Sequence, residues 1–281
     1  MSDVPPAGIV LAARLYVRPW RLVAAILFAL SRVSLVWILW LLVTADDPPL
    51  TPPLLARVLL ILVVLPGAAA WLIGRAFAGR VALAGVAPQL IVERPGQRLV
   101  LPAGELAAPR PWRLPLPEAG FDLMRGGGVR LSWSVAAADP TPLVAGLGGD
   151  PGQPMLRYAQ ARAAVARGWR YWLGRYVVFA LLPAAVLFNA HQYIAYGGTL
   201  GQYYLLGPRA WLTTAAVYWA TTGAYLLLWA SLWRGGLELL AWLAAWPAPQ
   251  AAPALRRAVE WIDRAAFYGG SLAILALRFL A

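Results

Sequence analysis

The chain has 281 residues, of which 61% are hydrophobic and 13% are charged, and this apolar excess over ordinary soluble domains predicts an integral membrane protein. Its basic residues are all Arg and give a formal net charge of +12, but they flank apolar segments, which indicates membrane topology and not nucleic-acid binding. The absence of Cys and the single His exclude disulfides, thiolate chemistry and multi-histidine metal sites.

Two apolar runs near the N-terminus are each long enough to cross a bilayer. Residues 1–21 are predicted to form a cytoplasmic N-terminal segment, and residues 22–80 a transmembrane hairpin with spans at about 22–44 and 54–73. The acidic, Pro-rich stretch "ADDPPLTPP" between the spans predicts a tight turn on the outer side.

From Pro88 to about Val135, within a predicted module at residues 85–148, the sequence changes from helical periodicity to two-residue alternation. Pro95 pre-sets φ and Gly96 accepts a positive φ, so "QLIVE" and "RLVLP" should pair around them. The "RGGG" at Arg125–Gly128 predicts a second hairpin turn, between "FDLM" and "VRLSWSV". Asp139 is the expected N-cap of a short helix, "TPLVAGL". The sequence therefore predicts a small antiparallel β module closed by a helix.

This order of elements resembles the bacterial PH-like proteins whose β module is flanked by membrane spans. The resemblance rests on "LIVERPGQRLVLPAGELAAPRPWRLPLP", "FDLMRGGGVRLSWSV" and "DPTPLVAGL", which cover about 60 of the 281 residues. It implies a PH-like module with a reduced sheet, acting as a binding platform for a protein or a lipid headgroup. It implies no chemistry.

The remaining sequence is typical of a linker followed by a three-span membrane domain. Residues 149–170 are predicted to form the linker and a basic juxtamembrane helix, and residues 171–281 the membrane domain, with spans at about 171–194, 210–233 and 265–281.

The apolar run at 210–246 is too long for one crossing as a straight helix. A break is therefore expected at Arg234-Gly235-Gly236. The Trp-rich "LELLAWLAAW" near 236–246 would then lie in the inner interface, or alternatively project from the membrane.

Arginine is concentrated on one side of the predicted spans, whereas the loop on the opposite side carries Asp46 and Asp47. The N-terminus and the β module are therefore expected inside and the C-terminus outside. The all-Arg, Ala-rich composition suggests a bacterial cytoplasmic (inner) membrane. The predicted fold class is mainly α, with about five transmembrane helices and an inserted small antiparallel PH-like β module.

Arg32 is the sharpest anomaly, because it lies well inside the first predicted span, where a charge is costly. The predicted spans contain no Asp or Glu. Its expected partner is therefore a backbone carbonyl, a lipid phosphate reached by snorkelling, or an acid on another subunit. A role in transport is the remaining alternative.

Other candidate contact residues lie at the inner membrane surface and on the fourth span. Arg167, Arg170 and Arg175 are each expected to add about 1 kcal/mol of attraction to anionic lipid. Trp242 and Trp246 are expected to contact lipid or a partner. Close helix packing, within the chain or between subunits, is predicted at the small residues Ala216, Ala220, Gly223 and Ala224.

The predicted spans show no paired carboxylates, metal ligands or activated nucleophile, so no cofactor or metal is expected and an enzyme is the least favoured class. A small transporter or channel component is the alternative, because Pro66-Gly67 and Pro183 could break two spans. The favoured function is a non-catalytic membrane scaffold or accessory subunit. Its expected partners are membrane lipids and other membrane-protein subunits.

Overall fold

The computed structural model describes residues 8–44, 52–84 and 88–280, so the predicted outer turn lies largely outside the described residues. Within these ranges the chain is mostly helical and contains a seven-stranded antiparallel sheet. The chain divides into two compact units. The first runs to Val165 and includes Glu238–Arg257, and the second comprises Ala166–Leu237 and the chain from Ala258 onward.

The sheet belongs to the first unit, and its spatial order is β4-β3-β2-β1-β7-β6-β5. β1 pairs with β2 on one side and with β7 on the other, so it joins two three-stranded meanders. The strands are β1 (Ile9–Val17), β2 (Ala78–Ala84), β3 (Gln89–Arg94), β4 (Gln97–Pro102), β5 (Leu106–Pro111), β6 (Gly120–Arg125) and β7 (Arg130–Ala136).

The prediction of a β module confined to residues 85–148 is wrong on its N-terminal side. β1 lies in the predicted N-terminal segment 1–21, and β2 overlaps the end of the predicted hairpin 22–80. Because the predicted hairpin separates these two strands in sequence, local periodicity could not reveal that they pair. The sheet therefore has seven strands and is not the reduced sheet that was expected.

Both predicted β-hairpins are confirmed. β3 and β4 pair around Pro95 and Gly96, and Gly96 has a φ of 78°, a conformation that glycine adopts without steric penalty. β6 and β7 pair across the Gly-rich turn, where Gly127 and Gly128 have φ values of 87° and 80°. The expected alternation of buried and exposed residues along β7 fails at Ser134, which is buried. Its hydroxyl is satisfied there by a hydrogen bond that it donates to the Asp122 carboxylate.

The predicted membrane hairpin is confirmed as a pair of apolar helical segments inserted between β1 and β2. It consists of α1 (Arg18–Thr44), α2 (Pro52–Leu59), a π-helical turn (Leu60–Val64) and α3 (Leu65–Ala76). α1 begins at the residue after β1, and Phe77 alone separates α3 from β2. Tyr16, Phe77 and Trp112 form a buried cluster at this junction.

Two short helices follow the sheet, α4 (Thr141–Gly146) and α5 (Pro154–Ala164). The prediction of Asp139 as the N-cap is wrong by one position, because Pro140 occupies the N-cap; the Asp139 carboxylate nevertheless accepts the backbone N–H of Thr141 at 3.0 Å. α5 buries Met155, Leu156 and Tyr158, and Leu156 belongs to the sheet core. The helix predicted within residues 149–170 is therefore present as α5, and it packs as part of the first unit.

The rest of the chain is helical. Its elements are α6 (Trp169–Leu173), a π-helical turn (Gly174–Val178), α7 (Phe179–Tyr196), α8 (Gly201–Ala244), α9 (Ala252–Arg264), a second π-helical turn (Ala265–Gly269) and α10 (Gly270–Leu280).

The predicted helix break at Arg234-Gly235-Gly236 is wrong. α8 continues to Ala244, and its backbone departs from helical geometry at Gly207, where φ is 84°. From Pro208 onward the helix is about 55 Å long at 1.5 Å per residue. A glycine inside a helix costs only about 1 kcal/mol relative to alanine, and packing of the helix on either side of it can offset this cost.

Each π-helical turn in the described helices receives a side-chain hydrogen bond from a neighbouring helix. A π-helical turn shifts the backbone bonding pattern, and in apolar surroundings a carbonyl that loses its helical donor needs another one. The three bonds run from Ser31 Oγ to the Val63 carbonyl (2.8 Å), from Trp219 Nε1 to the Val177 carbonyl (2.9 Å) and from Trp229 Nε1 to the Ala266 carbonyl (2.9 Å).

Four described helices are long and apolar enough to cross a membrane: Arg18–Ile38, Arg57–Ala76, Trp169–Tyr196 and Gly201–Ala245. They correspond to the first four predicted spans. The fifth predicted span, 265–281, is helical over its described residues but is not among these four.

Candidate functional site

Arg32 lies on the surface of α1 with an exposed side chain. Its guanidinium carbon lies 5.1 Å from the ring centroid of Phe28, one helical turn away, which is within the range of a cation–π interaction. A lipid phosphate or another subunit can therefore reach this side chain from outside the helix.

Arg175 is not a lipid-facing residue, and this corrects its predicted role. Its side chain is fully buried, and its Nη1 lies 2.6 Å from Oδ2 of Asp263. The guanidinium carbon also lies 4.1 Å from the ring centroid of Phe267. Asp263 lies just before the fifth predicted span and 88 positions from Arg175, so spacing along the sequence could not reveal the pair.

Arg234 extends this ion pair into a charge cluster composed of Arg175, Arg234, Glu260 and Asp263. Its guanidinium lies 3.5 Å from Glu260 and 3.6 Å from Asp263. Both carboxylates are buried. Ion pairs within this cluster therefore connect three helical segments of the second unit.

Arg167 and Arg170 keep exposed side chains, as their predicted contact with lipid requires. Each guanidinium also lies near an aromatic ring: Arg167 is 5.6 Å from the Tyr171 centroid, and Arg170 is 5.8 Å from the Trp169 centroid. Trp169 itself is 70% exposed.

The two Trp residues near the end of α8 differ in their surroundings. Trp242 is partly exposed and donates its indole N–H to the Met155 sulfur on α5 at 3.2 Å. The separate helix predicted near 236–246 is wrong, because these residues up to Ala244 continue α8, whose last turns belong to the first unit. Trp246 is 43% exposed and remains available for contact.

The predicted small-residue face of α8 is only partly used in packing. Gly223 lies beside the Tyr176 carbonyl and Ala180. Ala216, Ala220 and Ala224 are exposed. Packing within the second unit instead uses the neighbouring stripe, which contains Leu226 and Ala230.

A second polar cluster lies where α5, α8 and α9 meet in the first unit. The Tyr158 hydroxyl donates to Glu238 at 2.7 Å, and Nη1 of Arg256 donates to the same carboxylate at 2.7 Å. Burial, with a further contribution from the Glu238 charge, raises the pKa of Tyr158 to about 12. The cluster fixes α5 against the end of α8.

A third polar cluster is centred on Asp122 in β6. Its carboxylate accepts hydrogen bonds from Trp112 Nε1 at 3.0 Å and Ser134 Oγ at 2.9 Å, and it pairs with Arg130. Burial alone would raise the pKa of Asp122, but the hydrogen bonds from Arg130, Trp112 and Ser134 outweigh burial and hold that pKa below its ordinary value. Asp122 therefore fixes the indole plane of Trp112.

Trp112 connects this cluster to α1 and to a cleft. The Arg21 guanidinium carbon, in the first turn of α1, lies 3.6 Å from the Trp112 ring centroid. A Cβ atom at position 120 would lie 2.7 Å from this ring, so Gly120 permits the close approach. A cleft of about 200 Å³ opens beside Trp112, and we call it the Trp112 cleft; its lining includes Arg110, Trp112, Arg113, Gln153, Met155 and Trp246.

Among the described residues, no group of three His, Cys, Asp or Glu side chains is placed to hold a metal ion. No local pattern in the sequence predicts the charge cluster or the contact between Tyr158 and Glu238. The Trp112 cleft has one local signal, the Arg-Pro-Trp-Arg stretch at residues 110–113. No protein-family model, curated protein or solved structure matches this chain.

Proposed function

We propose that the chain is a non-catalytic scaffold or accessory subunit of the bacterial cytoplasmic membrane, and that its PH-like sheet docks another membrane-protein subunit on the cytoplasmic side. The observation that carries this proposal is the insertion of the apolar hairpin between β1 and β2, which are hydrogen-bonded neighbours at the centre of the sheet.

The insertion favours docking because it holds the sheet without a flexible linker. Val17 is followed directly by α1, and Phe77 is the single residue between α3 and β2. A domain on a flexible linker loses orientational freedom when it docks, and this loss opposes binding. A sheet continuous with its membrane helices has already lost that freedom.

The free edge of β4 is the favoured docking surface. Among the strands that the structure describes, β4 pairs with β3 alone, and its Leu99 and Val100 are 41% and 43% exposed. The Arg94–Gln97 pair closes the two-residue turn and is hydrogen-bonded, and hydrogen-bonded pairs alternate with non-hydrogen-bonded pairs along the ladder. The Ile91–Val100 pair is therefore non-hydrogen-bonded, so Val100 directs its N–H and C=O away from β3. Such groups on a free edge are a template for an added strand.

The opposite edge of the sheet is a poorer template. β5 contains Pro109 and Pro111, which have no backbone N–H to donate to a partner strand. The two edges therefore differ in their ability to pair, and β4 is the edge that favours strand addition.

The test is co-purification from mild detergent, with mass spectrometry of the associated chains. Val100→Pro removes an outward N–H from β4 while leaving the ladder to β3 intact, so we expect at least a tenfold loss of a stoichiometric partner. Ala108→Pro is the matched control, because it adds a proline to the β5 edge at a position that makes no ladder pair.

Retention of the partner by Val100→Pro would contradict docking at β4. A homogeneous monomer that moves ions or solutes across liposomes would instead support the transporter alternative.

A further inference from the structure

The second half of α9, residues 258–264, has its polarity inverted relative to a surface helix in water. It buries Val259 and the carboxylates of Glu260 and Asp263, whereas Trp261 and Ile262 on the opposite, outward face are 70% and 49% exposed. A surface helix in water instead turns its apolar residues inward and its charged residues outward. We infer that acyl chains of the inner leaflet cover this outward face, and that α9 and α10 together form a fifth membrane crossing. The inference rests on the membrane location in the proposed function and concerns a surface separate from the β4 edge.

The buried face of α9 fixes the helix beside two segments that are long and apolar enough to cross a membrane. Asp263 pairs with Arg175, which lies in the Trp169–Tyr196 segment. Glu260 lies 3.5 Å from Arg234, which lies in the Gly201–Ala245 segment. The outward face of α9 therefore adjoins the surface that these two segments turn to lipid.

Contacts further along the chain continue this packing. The indole N–H of Trp229 donates to the Ala266 carbonyl at 2.9 Å, and Phe267 packs with Leu226 and Ala230. Residue numbers fall along α8 while they rise from α9 toward α10, so the two elements run antiparallel. α9, the second π-helical turn and α10 follow one another without an intervening residue. The chain from α9 to α10 is therefore one helical element packed along α8.

The length of this element agrees with a crossing that begins in α9. The described part of the fifth predicted span, 265–280, extends for only about 24 Å at 1.5 Å per residue, less than the roughly 30 Å of the hydrocarbon core. Counting from Trp261 adds the missing turn and gives about 30 Å. Trp261 then lies at the inner boundary, which indole rings favour. The Arg264 guanidinium carbon lies 5.7 Å from the Trp261 ring centroid, at the depth of the lipid phosphates.

The inward charges explain why mean hydropathy does not mark this crossing. Glu260 and Asp263 lower the mean hydropathy of the segment, yet both carboxylates are turned away from lipid and paired with arginines. Ionisable side chains within membrane segments face the interior of the helix bundle and pair in this way. The bulk of Trp261 and Ile262 favours lipid over a second helix as the cover, because close helix contacts in membranes use small residues.

The first experiment measures the environment of a spin label on Ile262→Cys, in the purified full chain reconstituted into liposomes; the native chain has no Cys. Collision rates of the label with oxygen, which concentrates in lipid, and with a water-soluble nickel chelate report the two environments. The references are Leu182→Cys, at an exposed position of α7, and Gln97→Cys, at the exposed start of β4. We expect the oxygen-to-nickel ratio at Ile262 to match that at Leu182 and to exceed that at Gln97 at least fivefold.

Every other result at Ile262 overturns the inference. A ratio equal to that at Gln97 would place the outward face in water. Low collision rates with both reagents would show that protein covers the face, a second copy if the labels broaden one another and another part of the same chain if they do not. An aqueous ratio at Leu182 would contradict the membrane location in the proposed function, whereas an aqueous ratio at Ile262 alone would defeat only this inference.

A second measurement tests the crossing itself. A single cysteine appended after Ala281 should react with an impermeant maleimide in sealed cells, because a fifth crossing places the C-terminus outside. Gln250→Cys, just before α9, should react only after the membrane is opened. Protection of the appended cysteine in sealed cells would overturn the crossing.

Discussion

Arg175 and Asp263 form an ion pair whose side chains are 0% and 2% exposed. Asp263→Asn leaves the Arg175 charge buried without its carboxylate, so we expect the free energy of unfolding to fall by about 3 kcal/mol. The measurement is unfolding of the detergent-solubilised chain by titration with sodium dodecyl sulfate. Replacing both partners, by Arg175→Met with Asp263→Leu, should recover most of the loss because no uncompensated charge remains.

The control for this prediction is Arg257→Gln, which removes an exposed charge from the same helix and should change stability little. If Asp263→Asn were as stable as the native chain, the ion pair would not be buried as described.

The raised pKa of Tyr158 leads us to expect that the free energy of unfolding falls at high pH. Because its pKa is raised to about 12, the folded state retains the neutral phenol that the unfolded state loses near pH 10. The contribution of the neutral Tyr158 phenol to the free energy of unfolding is therefore complete below pH 10. It disappears as the pH rises from 10 to 12, and its magnitude is on the order of 2 kcal/mol. Tyr158→Phe should remove that part of the pH dependence, as measured by unfolding at several pH values.

At the scale of single elements, the π-helical turns depend on donors from neighbouring helices. Trp229→Phe keeps an aromatic ring but removes the N–H that reaches the Ala266 carbonyl, so we expect a loss of about 1 kcal/mol in unfolding free energy. Trp233→Phe, one turn further along α8, is the matched control. A loss in Trp233→Phe equal to that in Trp229→Phe would show that ring volume, and not the hydrogen bond, sets the stability.

At the scale of the whole molecule, the sheet constrains topology. β1 and β2 are hydrogen-bonded neighbours, so the two ends of the hairpin must lie on the same side of any membrane that the hairpin enters. Arginine sidedness predicts that this side is the cytoplasm.

Single-cysteine labelling tests this sidedness, and the native chain has no Cys to add background. We expect an impermeant maleimide to label Thr199→Cys in sealed cells. Gln97→Cys and Gln250→Cys should react only after the membrane is opened. Reaction of Gln97→Cys in sealed cells would reverse the proposed orientation.

Local patterns in the sequence determined much of the architecture. The "RPGQ" and "RGGG" turns specify their hairpins because Gly96, Gly127 and Gly128 adopt backbone angles that other residues avoid. The first four long apolar helices follow from segment length and hydropathy. Each of these features depends on residues close together in the chain.

Only the tertiary structure decided which distant segments meet. It placed β1 at the centre of the sheet, paired Arg175 with Asp263, and brought Trp246 beside Arg110 and Arg113. It also kept α8 helical past Gly235 and Gly236, where local propensity favoured a break. The physical reason is that hydrogen-bonded strand pairing, charge neutralisation and burial act between surfaces, and no periodicity along one segment encodes its partner.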